Sequence, residues 1–230
     1  MAIVGIDKLS LLDYEDKVSV VLFSKACNMR CPFCHNGEAI LGASKEDEID
    51  FNEILDFLKT RRGLIDAVVF TGGEPTLEPD LKVKIKLVRD LGFLIKLDTN
   101  GTNPEIVESL LDEGLVDYVA MDIKNCPSFY GDTCGVKNIN LDNIKKSIAI
   151  IMNKAPDYEF RTTLVKEFHE KMDYEAFLNL VKGAKRMFLQ KFVDREGCIK
   201  KGLHDVDEVE ANKLRDYLSS GIAEVNLRGY

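Results

Sequence analysis

The sequence predicts an α/β protein whose parallel sheet curves into an open, partial (β/α)6 barrel. Short apolar runs of strand length alternate along the chain with longer stretches whose apolar residues recur at helical spacing. Alternation of this kind is typical of a parallel sheet covered by helices. The chain has 230 residues, and its six such units are too few for a closed eight-unit barrel of about 250 residues.

The predicted strands are short apolar runs that contain many β-branched and aromatic residues. They cover residues 18–23, 67–70, 93–97, 118–123, 159–165 and 185–192. The predicted helices repeat apolar residues at i, i+3, i+4 and i+7, and they cover residues 51–58, 80–91, 104–111, 141–152 and 174–181. Pro104 suits a first helical turn with Asn103 as its N-cap.

The two ends of the chain add less regular segments. Residues 206–219 predict one more helix, and residues 224–229 predict a short extra strand or an extended tail. We expect a single domain over residues 1–230, with an N-terminal extension at 1–16 and a C-terminal helical tail at about 204–230.

Composition favours an ordinary globular enzyme. Apolar residues make up 45% of the chain and charged residues 30%, and the net charge is 31 minus 39, or −8. The acidic balance argues against a nucleic-acid partner, and no apolar stretch approaches the roughly twenty residues that span a membrane. Residues 1–10 contain no long apolar run, so we expect no signal peptide and a cytoplasmic protein with reduced thiols.

Three cysteines lie within eight residues, directly after the first predicted strand. Cys27, Cys31 and Cys34 have the spacing C-x3-C-x2-C. Soft thiolate ligands of this kind select iron–sulfur clusters, zinc or copper(I). A four-iron cluster normally takes four cysteines, so three would leave one iron open to a small molecule. A closed zinc site needs a fourth ligand; His35 is available, but its spacing fits no standard zinc pairing.

Further polar motifs follow other predicted strands. They are residues 71–75 (Thr-Gly-Gly-Glu-Pro), 98–101 (Asp-Thr-Asn-Gly) and 122–124 (Asp-Ile-Lys). Active sites of parallel barrels collect at the carboxyl ends of the strands. We therefore expect these motifs and the cysteines to meet at one rim, where glycines let backbone approach a ligand closely.

The cysteine run, with Phe33 before its third cysteine, resembles the signature of the radical S-adenosylmethionine (SAM) enzymes, and residues 72–74 resemble their Gly-Gly-Glu motif. The resemblance implies the partial barrel of that fold. It also implies one [4Fe–4S] cluster held by Cys27, Cys31 and Cys34, and SAM bound at its open iron. Gly72, Gly73 and Glu74 would then hold the methionyl amine, and Phe33 would lie near the adenine.

A narrower resemblance is to the activases of glycyl radical enzymes. It rests on residues 23–36, which end in Cys34-His35-Asn36, and on the motifs at 98–101 and 122–124. Residues 11–17 resemble the N-terminal segment of the activators of anaerobic ribonucleoside-triphosphate reductase, with Glu15 and Asp16 where that pattern has Pro-Gly. The likeness implies a protein substrate, a glycyl radical enzyme, and a flavodoxin- or ferredoxin-type electron donor.

Carried over residue by residue, the resemblance implies further roles at the rim. Asp98, Thr99 and Asp122, with the Ala120 carbonyl, would line a monovalent-cation site beside the SAM carboxylate. The remaining expected SAM-binding residues are Asn100, Lys124 and Arg161.

Several residues with reactive side chains fall outside these motifs. Cys126, Cys134 and Cys198 lack ligand spacing, so we expect structural thiols and a single cluster. His169 and His204 belong to no recognisable constellation.

Two alternatives to an activase follow from the same motifs. One is a radical SAM enzyme that acts on a small molecule, such as a 7-carboxy-7-deazaguanine synthase. The other is a non-catalytic zinc or iron–sulfur binding module, which would leave the rim motifs unexplained.

Overall fold

One eight-stranded sheet organises the fold, with strands in the order β1 to β8. The structure is a computed structural model that describes residues 3–41 and 48–230. The strands are β1 (Ile3–Ser10), β2 (Ser19–Ser24), β3 (Ala67–Gly72), β4 (Leu94–Thr99), β5 (Tyr118–Asp122), β6 (Tyr158–Leu164), β7 (Arg186–Lys191) and β8 (Glu224–Arg228). Strand β1 pairs antiparallel with β2, and all later neighbours are parallel.

Helices cover the outer face of the sheet. They are α1 (Gly37–Ile40), α2 (Phe51–Lys59), α3 (Leu81–Asp90), α4 (Pro104–Asp112), α5 (Tyr130–Cys134), α6 (Leu141–Lys154), α7 (Lys166–His169), α8 (Tyr174–Val181) and α9 (Glu208–Leu218). None of the helices in residues 3–41 and 48–230 is long and apolar enough to cross a membrane. Asn103 is the N-cap residue of α4 as predicted, but its side chain donates to Thr76 Oγ1 and accepts no hydrogen bond from the N–H groups of the helix.

The predicted open, parallel α/β architecture is confirmed, with two strands more than the predicted six. The six predicted strands correspond to β2–β7. The predicted N-terminal extension contains β1, an edge strand whose pairing with β2 has register shifts on both sides of residues 5–7. The predicted tail contains α9 and then β8, which is the short extra strand predicted as one alternative for residues 224–229, and β8 pairs with β7.

The inner face of the sheet is divided between an apolar end and a charged end. Near the strand starts, a small cluster of Tyr14, Val21, Ala67, Val69, Tyr118 and Ala120 fills the barrel. Tyr14 stacks against Tyr118 with ring centroids 5.3 Å apart, and Lys96 Nζ donates to the Asp13 carbonyl. The segment 11–17 thus plugs the amino end of the barrel, and the cavity lies at the carboxyl end.

Candidate active site

The three clustered cysteines line one cavity at the carboxyl ends of the strands. They lie on residues 25–36, the cluster loop, which connects β2 to α1. The cavity measures about 210 Å³. Its wall includes Gly72 and Gly73 after β3, and Asp122 and Lys124 after β5. The cysteines and the other polar motifs therefore lie around one cavity, as the sequence predicts.

Burial keeps the three thiols protonated in the metal-free chain. Burial raises the pKa of the Cys31 thiol to about 12, with the positive charge of Lys124 opposing it. Burial also raises the pKa of Cys27 and of Cys34. Because a metal binds the thiolate form, a bound cluster has to displace these protons. Three soft donors of this type suit an iron–sulfur cluster with one iron left open. Among residues 3–41 and 48–230, however, no group of three Cys, His, Asp or Glu side chains is already gathered closely enough to hold a metal ion.

His35, the alternative zinc ligand, is engaged elsewhere. Its Nε2 lies 2.9 Å from the Val193 carbonyl oxygen, and its ring stacks on Phe192 at 6.0 Å. The neighbouring Asn36 donates from Nδ2 to the Gly72 carbonyl at 3.0 Å. The Cys-His-Asn segment thus joins the cluster loop to the strand ends on both sides.

The two glycines of the Gly-Gly-Glu motif lie directly against the cluster loop. Gly72 has φ +103°, and a Cβ on Gly73 would lie 2.1 Å from the Ala26 carbonyl oxygen. Gly73 N–H also donates to Ser24 O at 2.8 Å. A side chain at Gly73 would therefore push the cluster loop away from β3, which is the close approach predicted for these glycines.

Glu74 is completely buried, and its carboxylate does not line the cavity. It accepts hydrogen bonds from Thr76 N–H, Thr76 Oγ1, Thr99 Oγ1 at 2.8 Å and Asn100 N–H. Burial raises the pKa of the Glu74 carboxyl, and these four donors oppose the rise. The structure thus directs the carboxylate into the junction between the β3 and β4 loops, outside the set of side chains that line the cavity.

We expect Glu74→Ala to cost about 3 kcal/mol in the free energy of unfolding of the metal-free chain, because several buried donors lose their acceptor. Urea titration measures this loss. SAM affinity, measured by calorimetry on the reconstituted protein, should fall as a consequence of the displaced loops. The control Glu53→Ala changes an exposed glutamate in α2 and should stay within about 0.5 kcal/mol of wild type. Equal stability of both variants would refute the structural role of Glu74.

A compact charge cluster forms the opposite wall of the cavity. Arg161 Nε donates to Asp122 Oδ1 at 2.9 Å, and Arg161 Nη1 donates to Asp98 Oδ2 at 3.1 Å. Lys124 Nζ donates to Asp122 Oδ2 at 2.9 Å. Although burial acts to raise it, the charges of Arg161 and Lys124 hold the pKa of Asp122 below its usual range. Asp122 is therefore ionised at neutral pH and held by two cations.

The side chains expected to bind a monovalent cation have partners within the protein. The guanidinium of Arg161 already bridges the two carboxylates that were to bind it. The Thr99 hydroxyl donates to Glu74. Asp98 Oδ1 accepts no hydrogen bond, but Lys96 Nζ lies 3.7 Å from it. Fixed side-chain cations thus balance these carboxylates.

Asn100 and Phe33, two further residues expected to contact SAM, also contact other side chains of the protein. Asn100 Nδ2 donates to Asn28 Oδ1 at 2.9 Å and lies 4.0 Å from Cys27 Sγ. Phe33 lines the cavity, and its ring also packs against Phe168 at 5.9 Å and Phe192 at 6.4 Å. Both side chains thus border the site while they hold the cluster loop in place.

His169 is a residue whose role the sequence motifs did not indicate. Its Nδ1 lies 3.0 Å from Val165 N and 2.9 Å from Val165 O, and its Nε2 lies 2.9 Å from the Lys124 carbonyl oxygen. His169 is 4% exposed, and burial lowers its pKa. The contact with the Lys124 carbonyl holds the backbone of Lys124 in place. It joins residues that are 45 positions apart in the sequence, so a local sequence pattern could not predict it.

We expect the stability of the metal-free chain to fall as the pH is lowered through about 6.5, the usual pKa of histidine. The buried His169 resists a proton that the unfolded chain binds, so the unfolded state gains protons over this range and is favoured. One such proton contributes at most about 1.4 kcal/mol per pH unit. Urea titrations between about pH 7.5 and 5.5 should show a smaller decline for His169→Gln, whereas His204→Gln, at an exposed histidine, should retain the wild-type decline.

The three other cysteines do not line the cavity. Cys126, Cys134 and Cys198 are buried. The Cys134 carbonyl accepts from Arg30 N–H at 2.9 Å, and Cys198 Sγ lies 3.9 Å from the Phe33 carbonyl oxygen. These two cysteines thus pack behind the cluster loop, as structural thiols do.

An open parallel barrel with three thiols and a charge cluster at its carboxyl rim defines a barrel enzyme built around an iron–sulfur centre. The Radical SAM superfamily model matches residues 21–186, and the chain belongs to that superfamily. Its cofactors are accordingly a [4Fe–4S] cluster and SAM, and the protein is an enzyme.

The chain is similar to several characterised or named relatives. A Methanocaldococcus jannaschii protein, provisionally named a glycyl-radical enzyme activating enzyme, is 36% identical over 84% of this chain and 80% of its own. The 7-carboxy-7-deazaguanine synthase of Thermoplasma acidophilum is 28% identical over 66% of this chain and 68% of its own. The crystal structure of Streptococcus suis SuiB bound to SAM superimposes with a TM-score of 0.64, at 16% identity, over 91% of this chain and 52% of that one, which shows a shared fold.

Proposed function

We propose that this enzyme activates a glycyl radical enzyme. The observation that carries the proposal is the 36% identity, over 84% of this chain, to a relative provisionally named as an activating enzyme. When bound, the cluster would supply the electron for reductive cleavage of SAM, and a glycine of the partner would lose a hydrogen atom to the 5′-deoxyadenosyl fragment. One hydrophobic cluster contains residues from Ile3 to Val225, so we propose that the chain acts as one domain.

The residues of this chain would bind and orient the two cofactors. Cys27, Cys31 and Cys34 would hold the cluster. The backbone of Gly72 and Gly73, with Asn36 bonded to the Gly72 carbonyl, would form the wall nearest to SAM. Lys124 and Arg161 lie on the opposite wall and would place positive charge where the SAM carboxylate binds, while Asp122 keeps both cations oriented.

The shape of the rim suits a protein substrate. The sheet is open, with β1 and β8 as its edge strands, and a reacting glycine has to come within van der Waals distance of the 5′ carbon of SAM. A small metabolite would need a pocket that buries most of its surface. An open-sided rim therefore favours a peptide loop, delivered by a folded partner.

Anaerobic ribonucleoside-triphosphate reductase is the partner that we propose, together with a flavodoxin- or ferredoxin-type electron donor. Residues 11–17, which carry this narrower likeness, have a structural role in the described chain. Tyr14 and Asp13 of this segment close the amino end of the barrel through Tyr118 and Lys96. The likeness of residues 11–17 to the reductase activators is therefore what supports the reductase as the partner.

The test incubates the reconstituted, reduced enzyme and SAM with an anaerobic reductase from the same source. We expect electron paramagnetic resonance (EPR) to show a glycyl radical on the partner. A partner whose radical-bearing glycine is changed to alanine should show none, and it serves as the matched control. SAM consumption with a small heterocyclic substrate, without any partner radical, would instead favour a reaction on a small molecule.

The small-molecule reaction is the second candidate, because the Thermoplasma acidophilum 7-carboxy-7-deazaguanine synthase is 28% identical over two thirds of each chain. The two candidates differ in what accelerates SAM cleavage. A protein partner should accelerate it in the first case, and a free heterocycle in the second.

A further inference from the structure

Three glycines from three different loops lie against the backbone of the cluster loop. A Cβ on Gly73, after β3, would lie 2.1 Å from the Ala26 carbonyl oxygen. A Cβ on Gly135, after α5, would lie 2.2 Å from that of Arg30, and a Cβ on Gly197, after β7, would lie 2.2 Å from that of His35. In each case the obstructing atom is backbone, so the loop itself would have to move.

A backbone hydrogen bond accompanies each of these close approaches. Glu74 N–H donates to Ala26 O at 2.6 Å, Arg30 N–H donates to Cys134 O at 2.9 Å, and Gly37 N–H donates to Gly197 O at 3.1 Å. The three contacts are spread along the cluster loop, one before Cys27, one beside Cys31 and one after Cys34. They restrain the backbone on both sides of every predicted ligand.

The loop after β7 makes the most extensive of the three contacts. Besides Gly197, Lys200 N–H donates to the Pro32 carbonyl at 2.7 Å. At the start of the same loop, Phe192 packs against the rings of Phe33 and His35. Gly197 lies beyond residues 21–186, the part that the superfamily model matches.

We propose that Gly135 and Gly197 are positioning residues that direct the three thiols toward one cluster. A loop of twelve residues has few internal hydrogen bonds to set its own path; one is Cys34 N–H to Cys31 O at 3.0 Å. Without outside restraint, ordering three ligands would cost conformational entropy each time the cluster binds. Backbone contacts from two distant loops fix the course of the loop backbone before the cluster binds, in the way that outer residues support metal ligands.

The test compares Gly135→Ala and Gly197→Ala with two matched controls. Gly202→Ala imposes the same backbone strain as Gly135→Ala, since φ is +71° and +70° respectively, but its Cβ would meet nothing within 4 Å. Gly5→Ala matches Gly197→Ala because neither glycine has a positive φ, and its nearest neighbour is the Phe23 side chain at 3.4 Å. Each reconstituted protein is titrated anaerobically with an iron chelator, and its EPR spectrum is recorded with and without SAM.

We expect the two test variants to lose iron to the chelator at about 10-fold lower concentration than their controls, a cost usual for residues that support metal ligands. Their SAM-dependent EPR change should also be reduced. Wild-type iron retention and an unchanged EPR response in both would overturn the proposal. If Gly197→Ala lacks a cooperative thermal transition, Phe192→Leu takes its place, because Phe192 lies on the same loop and leucine introduces no clash. Wild-type iron retention in Phe192→Leu would then refute the inference.

The inference rests on the proposed cysteine ligands and not on the activase reaction. Iron binding by Cys31→Ala would refute the ligand assignment. A partner that gains no radical would refute the activase proposal. The glycine variants are compared with controls that carry the same cysteines, so their outcome is separate from both.

Discussion

Cys31→Ala is expected to abolish cluster binding and SAM cleavage and to leave the metal-free fold intact. Cys31 is the most buried of the three clustered cysteines, at 7% exposed, and burial raises its thiol pKa to about 12. In the metal-free chain it is a small apolar side chain, so alanine should change stability by only about 1 kcal/mol. In the reconstituted chain it would be one of only three thiolate ligands. Iron and sulfide analysis after anaerobic reconstitution, together with 5′-deoxyadenosine release under reductant, measures both effects.

Cys198→Ala is the matched control for this prediction. Cys198 is equally buried, at 6% exposed, and its sulfur lies 3.9 Å from the Phe33 carbonyl oxygen, behind the cluster loop. It does not line the cavity. Iron content should therefore equal that of wild type. Loss of iron in the control, or full iron and sulfide in Cys31→Ala, would contradict the proposed ligand set.

Arg161→Leu is expected to destabilise the chain by about 3 kcal/mol, the low end of the cost of removing one partner of a buried ion pair. The Arg161 side chain is 15% exposed, and it holds Asp98, at 11%, and Asp122, at 32%. Because Asp122 is the more exposed of the two carboxylates, the loss in the free energy of unfolding should lie at the low end of that range. Arg215→Leu, which breaks an exposed pair with Asp216, should cost less than about 1 kcal/mol. Urea titration of the metal-free chains gives both values.

The pH dependence of Arg161→Leu separates lost charge from lost packing. Without the guanidinium, only Lys124 opposes the burial that acts to raise the pKa of Asp122, so this pKa should be higher in the variant than in wild type. As the pH falls toward the range in which aspartate titrates, near about 3.9, the folded variant then binds more protons than folded wild type, so the deficit in its free energy of unfolding should shrink. A deficit that is constant with pH would indicate a packing defect instead.

The ion pairs of Arg161 with Asp98 and Asp122 also allow a prediction of how the protein responds to monovalent cations. Because the guanidinium bridges both carboxylates, wild-type SAM affinity should be equal in potassium chloride and in choline chloride at the same ionic strength. Arg161→Gln keeps a polar side chain but removes the charge, and potassium should then raise both stability and SAM affinity. A wild-type protein that requires potassium would restore the cation site that residues 98–101 and 122–124 suggested.

Local patterns were enough to predict most of the fold. The strands β2–β7 are apolar runs buried by helices, and such runs are visible in any short window of the sequence. β1 was missed because Asp7 and Lys8 interrupt its apolar pattern and because an edge strand is only partly covered. The helices α1, α5 and α7 have four or five residues each, too few for a helical period to show.

The candidate site, like the fold, has features that the sequence predicted and features that it did not. The motifs predicted which loops meet at the rim, and residues 27–34, 72–73 and 122–124 do meet there. The direction of individual side chains did not follow from the motifs. Glu74 bonds to the β4 loop, Arg161 on β6 reaches across β5 to Asp98 on β4, and His169 fixes the backbone at Lys124.

By itself, the sequence determined the donor atoms, their order along the chain and the strand ends that carry them, because spacing and apolar periodicity are local properties. Only the tertiary structure decided which charges pair and which glycines hold the cluster loop. It also decided that the Glu74 carboxylate accepts hydrogen bonds from backbone and hydroxyl donors of the protein itself. Several of these contacts join distant residues, with Glu74 and Asn100 lying 26 positions apart and His35 and Gly197 lying 162 positions apart. Their geometry depends on strand order, register and the curvature of the whole sheet, which no window of sequence contains.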